Sequence, residues 1–159
     1  MSRHELMSSL LLLVSVVTVG GQQKPDFSGE WILNRQDSSL SPAAAAIQSG
    51  LLRIEHREPK FHYQVRFEAN GAPIEYAFDL TSDGLEVTGT DRGRRTATSL
   101  RWHGEALVLA STVEGPEAGT TLSVAFRYEL VEAGRRLRAT ERLRGRGRDQ
   151  DNVWIFERR

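Results

Sequence analysis

The chain has 159 residues, no cysteine, and equal numbers of bases and acids, 21 of each. Less a short leader, that is one domain, long enough to bury on the order of two thirds of its unfolded surface without covalent staples. The missing cysteines exclude disulfides, thiolate metal sites, a cysteine nucleophile and a lipid-attachment cysteine.

The leader comes first in the chain. Arg3 gives a weakly positive start, Leu10 to Val19 is a mainly apolar run of ten, and Gly20-Gly21 supplies the small residues a signal peptidase needs. Such a run falls short of the roughly 20 residues that span a bilayer, and Gln22-Gln23-Lys24-Pro25 then turns polar. The pattern predicts a removed secretory signal over 1–21 and a mature domain over 22–159, secreted or periplasmic, with an uncleaved anchor as the other reading.

The first strand-like stretch is Phe27-Ser28-Gly29-Glu30-Trp31-Ile32-Leu33-Asn34. Strand side chains alternate, so Phe27, Trp31 and Leu33 share one face, and Gly29 leaves room beside the tryptophan ring. After it, Ser41 as N-cap, Pro42 at the first helical position, Ala43 to Ala46, and Gly50 as a left-handed closing residue predict one short helix. At about two turns that helix is marginal alone and has to rest on an open end of the fold.

Leu51 to Arg57 and Lys60 to Glu68 form the clearest hairpin. Closing it at Glu58-Pro59 opposes His56 with Phe61, Ile54 with Tyr63 and Leu52 with Val65, while Glu55 faces His62 and Arg53 faces Gln64 on the charged side. The rhythm continues through Ile74, Tyr76, Phe78 and Leu80, then a short strand from Leu85 to Thr90, then Arg94 to Trp102. Leu107, Leu109 and Val113 alternate next, followed by the longest run, Leu122, Val124, Phe126, Tyr128 and Leu130. Arg135 to Arg144 and Asn152 to Arg158 complete the chain. Ten strand candidates with turns about every ten residues predict an all-β fold, an antiparallel up-and-down barrel of 8–10 strands with one short helix between the first and second.

Gly29-Glu30-Trp31 at the head of the first strand, the meander that follows, and a last strand ending in arginine resemble the calycin group: lipocalins, fatty-acid-binding proteins and avidin-like barrels. Asp26 to Asn34, Arg101-Trp102-His103-Gly104-Glu105 and Thr120-Thr121-Leu122 look most like fatty-acid-binding-type barrels and the lipocalin-like secreted proteins of bacteria. The resemblance implies a ligand cavity inside the barrel. It also implies a closure in which Trp31, beside Gly29, meets an arginine of the last strand, Arg158 or Arg159. Fatty-acid-binding proteins hold the ligand carboxylate with an arginine-x-tyrosine pair in the last strand, where this chain has Trp154-Ile155-Phe156. Their further arginine aligns near Tyr128, so the carboxylate clamp is missing.

Seven inward-facing candidates form the expected ligand lining: His56, Tyr63, Tyr76, Phe78, Trp102, Phe126 and Tyr128. An apolar wall with a few polar tips suits a small hydrophobic molecule, and the same rings also suit a barrel packed solid; both readings stay open. His56, the one histidine on an apolar face, reads as a hydrogen-bonded interior residue. His62 points outward, so the two share no metal, and no metal or cofactor is expected. No nucleophile elbow, paired-histidine helix or phosphate loop occurs, which predicts a binding protein and not an enzyme.

Residues 135–159 hold nine arginines against four acids, while the rest of the chain carries net −5. Arg136, Arg138, Arg142 and Arg144 share a strand face, with Arg146 and Arg148 at the tip. They offer an anion-binding face of an envelope interaction protein or, balanced by neighbouring acids, a solvated surface; with no aromatics between them to stack bases, nucleic acid is not expected. Glu141 breaks the apolar face of the same strand and needs a partner if it points inward, for which an inward arginine is the expectation.

Overall fold

A computed structural model describes residues 23–159 apart from Pro116, Ala118, Arg146 and Arg148. The expected signal segment, its cleavage point before Gln22, and the loop arginines Arg146 and Arg148 lie outside the described residues. Period-two alternation becomes ten antiparallel strands: β1 (Gly29–Leu33), β2 (Ile47–Arg57), β3 (Lys60–Ala69), β4 (Ala72–Thr81), β5 (Val87–Asp91), β6 (Arg94–His103), β7 (Ala106–Glu114), β8 (Thr121–Val131), β9 (Arg136–Arg144) and β10 (Gln150–Arg158).

Their spatial order is β4-β3-β2-β1-β10-β9-β8-β7-β6-β5. Every strand lies beside its chain neighbours, with two exceptions: β1 pairs with β10, and β4 does not pair with β5. The sheet therefore rolls shut where the chain's two ends meet and stays open near its midpoint, an up-and-down half-barrel rather than the closed barrel expected. The closing register sets Trp31 against Arg158 and Leu33 against Phe156. In the β2–β3 hairpin His56 opposes Phe61, Ile54 opposes Tyr63 and Leu52 opposes Val65, as the alternation requires. Its loop consists of Glu58 and Pro59, joined by a cis peptide bond.

The short helix does not form. The alanine run makes one helical hydrogen bond, Ala45 N–H to Ser41 O at 2.9 Å, and two turn bonds, Ala44 N–H to the same oxygen and Ile47 N–H to Ala44 O. Ile47 to Gly50 instead extend β2 and pair along β3. A two-turn helix has little stability of its own, and the ladder offers those residues more. Gly50 is thus a strand residue, not a helix terminator, and its role is space: a β-carbon there would sit 2.5 Å from the Phe67 ring. Upstream, Ser39 exchanges two backbone hydrogen bonds with Val153, both 2.8 Å, which lays the β1–β2 connection along β10.

The two ends of the half-barrel differ in how they are finished. At the end carrying the β2–β3 turn, Ser82 N–H donates to Pro59 O (2.8 Å) and Gly84 N–H to Leu100 O (2.9 Å), so the β4–β5 connector bridges the gap. Phe27, Trp31, Leu52, Phe61, Leu100, Leu107 and Leu137 are buried there in the core. Burying each such side chain is worth about 1.5–3 kcal/mol. Toward the other end β4 and β5 separate, and inward-facing residues of β4 stand half open: Tyr76 is 37% and Phe78 38% exposed.

Candidate ligand-binding site

The closed end is held by a ring and a guanidinium. The Trp31 indole N–H donates to Phe27 O at 3.1 Å, and the Arg158 guanidinium lies 4.2 Å from the centre of its ring. Arg158 also donates to Ser28 O (2.8 Å) and Gly134 O (3.0 Å), tying the first strand to the last. Gly29 has φ 141°, and a β-carbon there would approach Arg158 Nη1 to 3.0 Å, so glycine is what lets the guanidinium reach the ring.

His56 belongs to this end. Its Nδ1 accepts the Phe27 N–H at 3.3 Å, which leaves Nε2 to carry the proton and donate to Glu58 Oε1 at 2.7 Å. Glu58 accepts two more hydrogen bonds, from Ser82 Oγ at 2.8 Å and from Trp102 Nε1 at 3.0 Å. Partial burial pushes the Glu58 carboxyl up, but the three donors outweigh it and hold the group below its ordinary value. Both nitrogens of the buried histidine are engaged, so it serves as a bracket between Phe27 and the β2–β3 turn.

The mouth, at the opposite end, is built differently. A cavity of about 240 Å³ lies between the alanines of the β1–β2 connection (Ala43, Ala44), β3 and β4 (Tyr63, Phe67, Ile74, Tyr76), Phe126 of β8, and β9 and β10 (Ala139, Glu141, Gln150, Asn152, Trp154, Phe156). Phe67 stacks on Trp154 at 5.3 Å and 25°, and Phe126 lies parallel to Tyr128 at 5.6 Å and 6°. The three tyrosines lie together, with the Tyr63 ring 6.2 Å from that of Tyr76 and 6.0 Å from that of Tyr128. Burial, and then the neighbouring hydroxyls, raise Tyr63 well above its ordinary value. Burial and the Glu141 charge push Tyr76 up to about 12, and burial is likewise the main cause of the upward shift at Tyr128. All three are neutral hydrogen-bonding groups at physiological pH.

Glu141 points into this cavity, and its partner is not an arginine. Oε2 accepts from Asn152 Nδ2 (2.8 Å) and Trp154 Nε1 (2.9 Å). Asn152, 2% exposed, stands directly opposite Glu141 in the β9–β10 register. Its Oδ1 accepts the Ser41 N–H, which fixes the connection above the cavity.

The seven candidate residues therefore do not converge on one site. Tyr63, Tyr76 and Phe126 line the mouth cavity, Tyr128 lies beneath it, and Phe78 faces the open seam, stacked on Tyr63 at 5.6 Å. His56 and Trp102 belong to the closed end. Missing from the expected lining are Phe67, Ile74, Glu141, Gln150, Asn152 and Trp154. The signal for the polar part was in the sequence, since Glu141 and Asn152 each interrupt an apolar alternation. A larger hollow of about 920 Å³ runs beside the β2–β3 turn, walled by Ile54, His56, Phe61 and Leu80 together with the charged or polar Glu55, Arg57, Lys60, His62 and Asp79.

His62, His103 and three arginines of the β9 face have neighbours. His62 bonds Asp79 at 2.7 Å, and His103 meets Arg127 at 2.9 Å. Arg136 pairs with Asp37, Glu132 and Glu157, Arg138 with Glu129, and Arg144 with Asp151. Among the described residues no cluster of histidines and acids has the makings of a metal site, and no helix is long and apolar enough to cross a membrane.

No family model and no curated protein matches the chain. Solved structures do. A secretory abundant heat soluble protein from Ramazzottius varieornatus superposes with a TM-score of 0.56 at 12% identity, over 83% of this chain and 94% of its own. The zebrafish ileal bile acid-binding protein, complexed with cholic acid, gives 0.53 at 14% identity, over 84% and 98%. Human cRBP IV gives 0.50 at 17%, over 86% and 100%. The fold is that of the calycin barrels. In this chain β4 and β5 stand apart, and Glu141 lines the cavity.

Proposed function

We propose that this protein is a non-catalytic, exported binding protein of the lipocalin-like kind, which takes a small, mostly apolar molecule into the mouth of its half-barrel. The observation that carries the reading is the asymmetry of the two ends. One has its central polar groups engaged, and the hollow beside its turn is walled in good part by charged side chains, whereas the other keeps a cavity of about 240 Å³ walled by Tyr63, Phe67, Tyr76, Phe126 and Trp154. A wall of rings with a few fixed polar atoms gives an apolar ligand area for affinity and a hydrogen bond for orientation. The volume lies just under the roughly 300–1,000 Å³ usual for small-molecule pockets, so the fitting ligand is small, or its tail extends along the exposed inner face of β4. The fold's neighbours include a protein complexed with cholic acid, which supports an apolar guest.

Displacement of a hydrophobic dye tests this reading. A saturable site is expected, weakened several-fold by Phe126→Ala, with the fold retained because Phe126 is only partly buried. The absence of saturable binding across a panel of small lipids and aromatics overturns it. Export is tested separately: sequencing the amino terminus of the protein recovered from the envelope or medium is expected to read Gln22 first.

A further inference from the structure

Glu141 is a carboxylate facing an apolar cavity with no cation to balance it. Both of its hydrogen bonds go to one oxygen, Oε2. The other, Oε1, has no protein partner among the described residues. No lysine or arginine lines the cavity, and the arginines of β9 alternate onto the opposite face of the strand, where acids pair with Arg136, Arg138 and Arg144. The donors that do reach Glu141, an amide and an indole, are neutral, and they are themselves held in place: Asn152 by Ser41, and Trp154 by its stack on Phe67.

Glu141 is partly buried and lines the cavity without a fixed counter-ion, which makes it a ready acceptor for an opposite charge that a ligand brings. Here two neutral donors hold Oε2, and Oε1 has no protein partner among the described residues on a side chain that lines the cavity. A ligand carboxylate placed there meets a like charge and no counter-ion, whereas an ammonium meets a charge-assisted acceptor.

From this arrangement we infer that the site selects apolar amines: the ligand's ammonium group binds Glu141 Oε1, and its apolar body lies against Phe126, Tyr76 and Trp154. The inference rests on the proposed binding function and names its ligand class. A simple fatty acid is the wrong guest for this cavity.

The test is a calorimetric titration of the full mature chain with three probes that share one phenylalkyl body and end in an ammonium, a hydroxyl or a carboxylate. The amine is expected to bind on the order of tenfold tighter than the alcohol, with the carboxylate weakest. In Glu141→Gln, whose side-chain oxygen still accepts from Asn152 and Trp154, the amine's advantage over the alcohol is expected to vanish while the alcohol binds as before. Equal binding of all three by the wild type, or a preference for the carboxylate, overturns the amine assignment and leaves the apolar site standing. Failure of every probe to bind overturns both. The wild-type ranking decides the matter even if the variant misfolds.

Discussion

The two ends of this half-barrel use similar residues for opposite purposes. Each has a tryptophan indole N–H and a second donor on one glutamate oxygen: Trp102 and His56 on Glu58 Oε1, Trp154 and Asn152 on Glu141 Oε2. At the closed end the other oxygen is taken as well, by Ser82, and the hub locks a turn to the core. At the mouth the other oxygen has no protein partner among the described residues, and the side chain lines a cavity of about 240 Å³. A carboxylate hub with every acceptor engaged is a structural tie, and the same hub with one acceptor spare beside a cavity is a binding group.

That contrast predicts that stability and binding separate along the barrel. Trp31→Ala at the closed end removes a fully buried ring and the platform under Arg158, at an expected cost of about 3–5 kcal/mol in a chemical denaturation curve. Gly50→Ala drives a methyl group into Phe67 and is expected to cost about 1–3 kcal/mol by overpacking. Glu58→Ala leaves His56, Ser82 and Trp102 to water or to nothing; with the carboxylate 42% exposed, the expected loss is about 1 kcal/mol.

Glu58 also sets a pH dependence. Its folded pKa lies below the ordinary 4.5, so the stability it contributes is complete above pH 4.5 and is lost as the pH falls through the folded value. Denaturation midpoints measured down the acid limb are expected to fall less steeply in Glu58→Gln than in the wild type. Smallest of all is the effect of Glu141→Gln on stability, expected within about 0.5 kcal/mol because the replacement keeps the accepting oxygen. A large loss there, or none at Trp31, breaks the division between the two ends.

The closed end was largely legible in the sequence. Strict alternation of Leu52, Ile54 and His56 against Phe61, Tyr63 and Val65 permits one register, because a shift by one residue would turn every ring outward. The mouth was less so. Nothing local marks the missing β4–β5 pairing, since Tyr76 and Phe78 alternate just as they would in a closed barrel. The helix expected from Ala43 to Ala46 reflected a propensity that the β2–β3 ladder overrides from Ile47 onward. Glu141 was visible as an interruption, but its partner depended on the β9–β10 register, which places Asn152 opposite it.

The three indole N–H groups report on both ends at once. Trp31 donates to Phe27 O and Trp102 to Glu58 at the closed end, and Trp154 donates to Glu141 at the cavity. Titrating 15N-labelled protein with the phenylalkyl amine is expected to shift the Trp154 indole resonance saturably and to leave those of Trp31 and Trp102 in place. Saturable movement of Trp31 or Trp102 with Trp154 unmoved would contradict a binding site at the mouth.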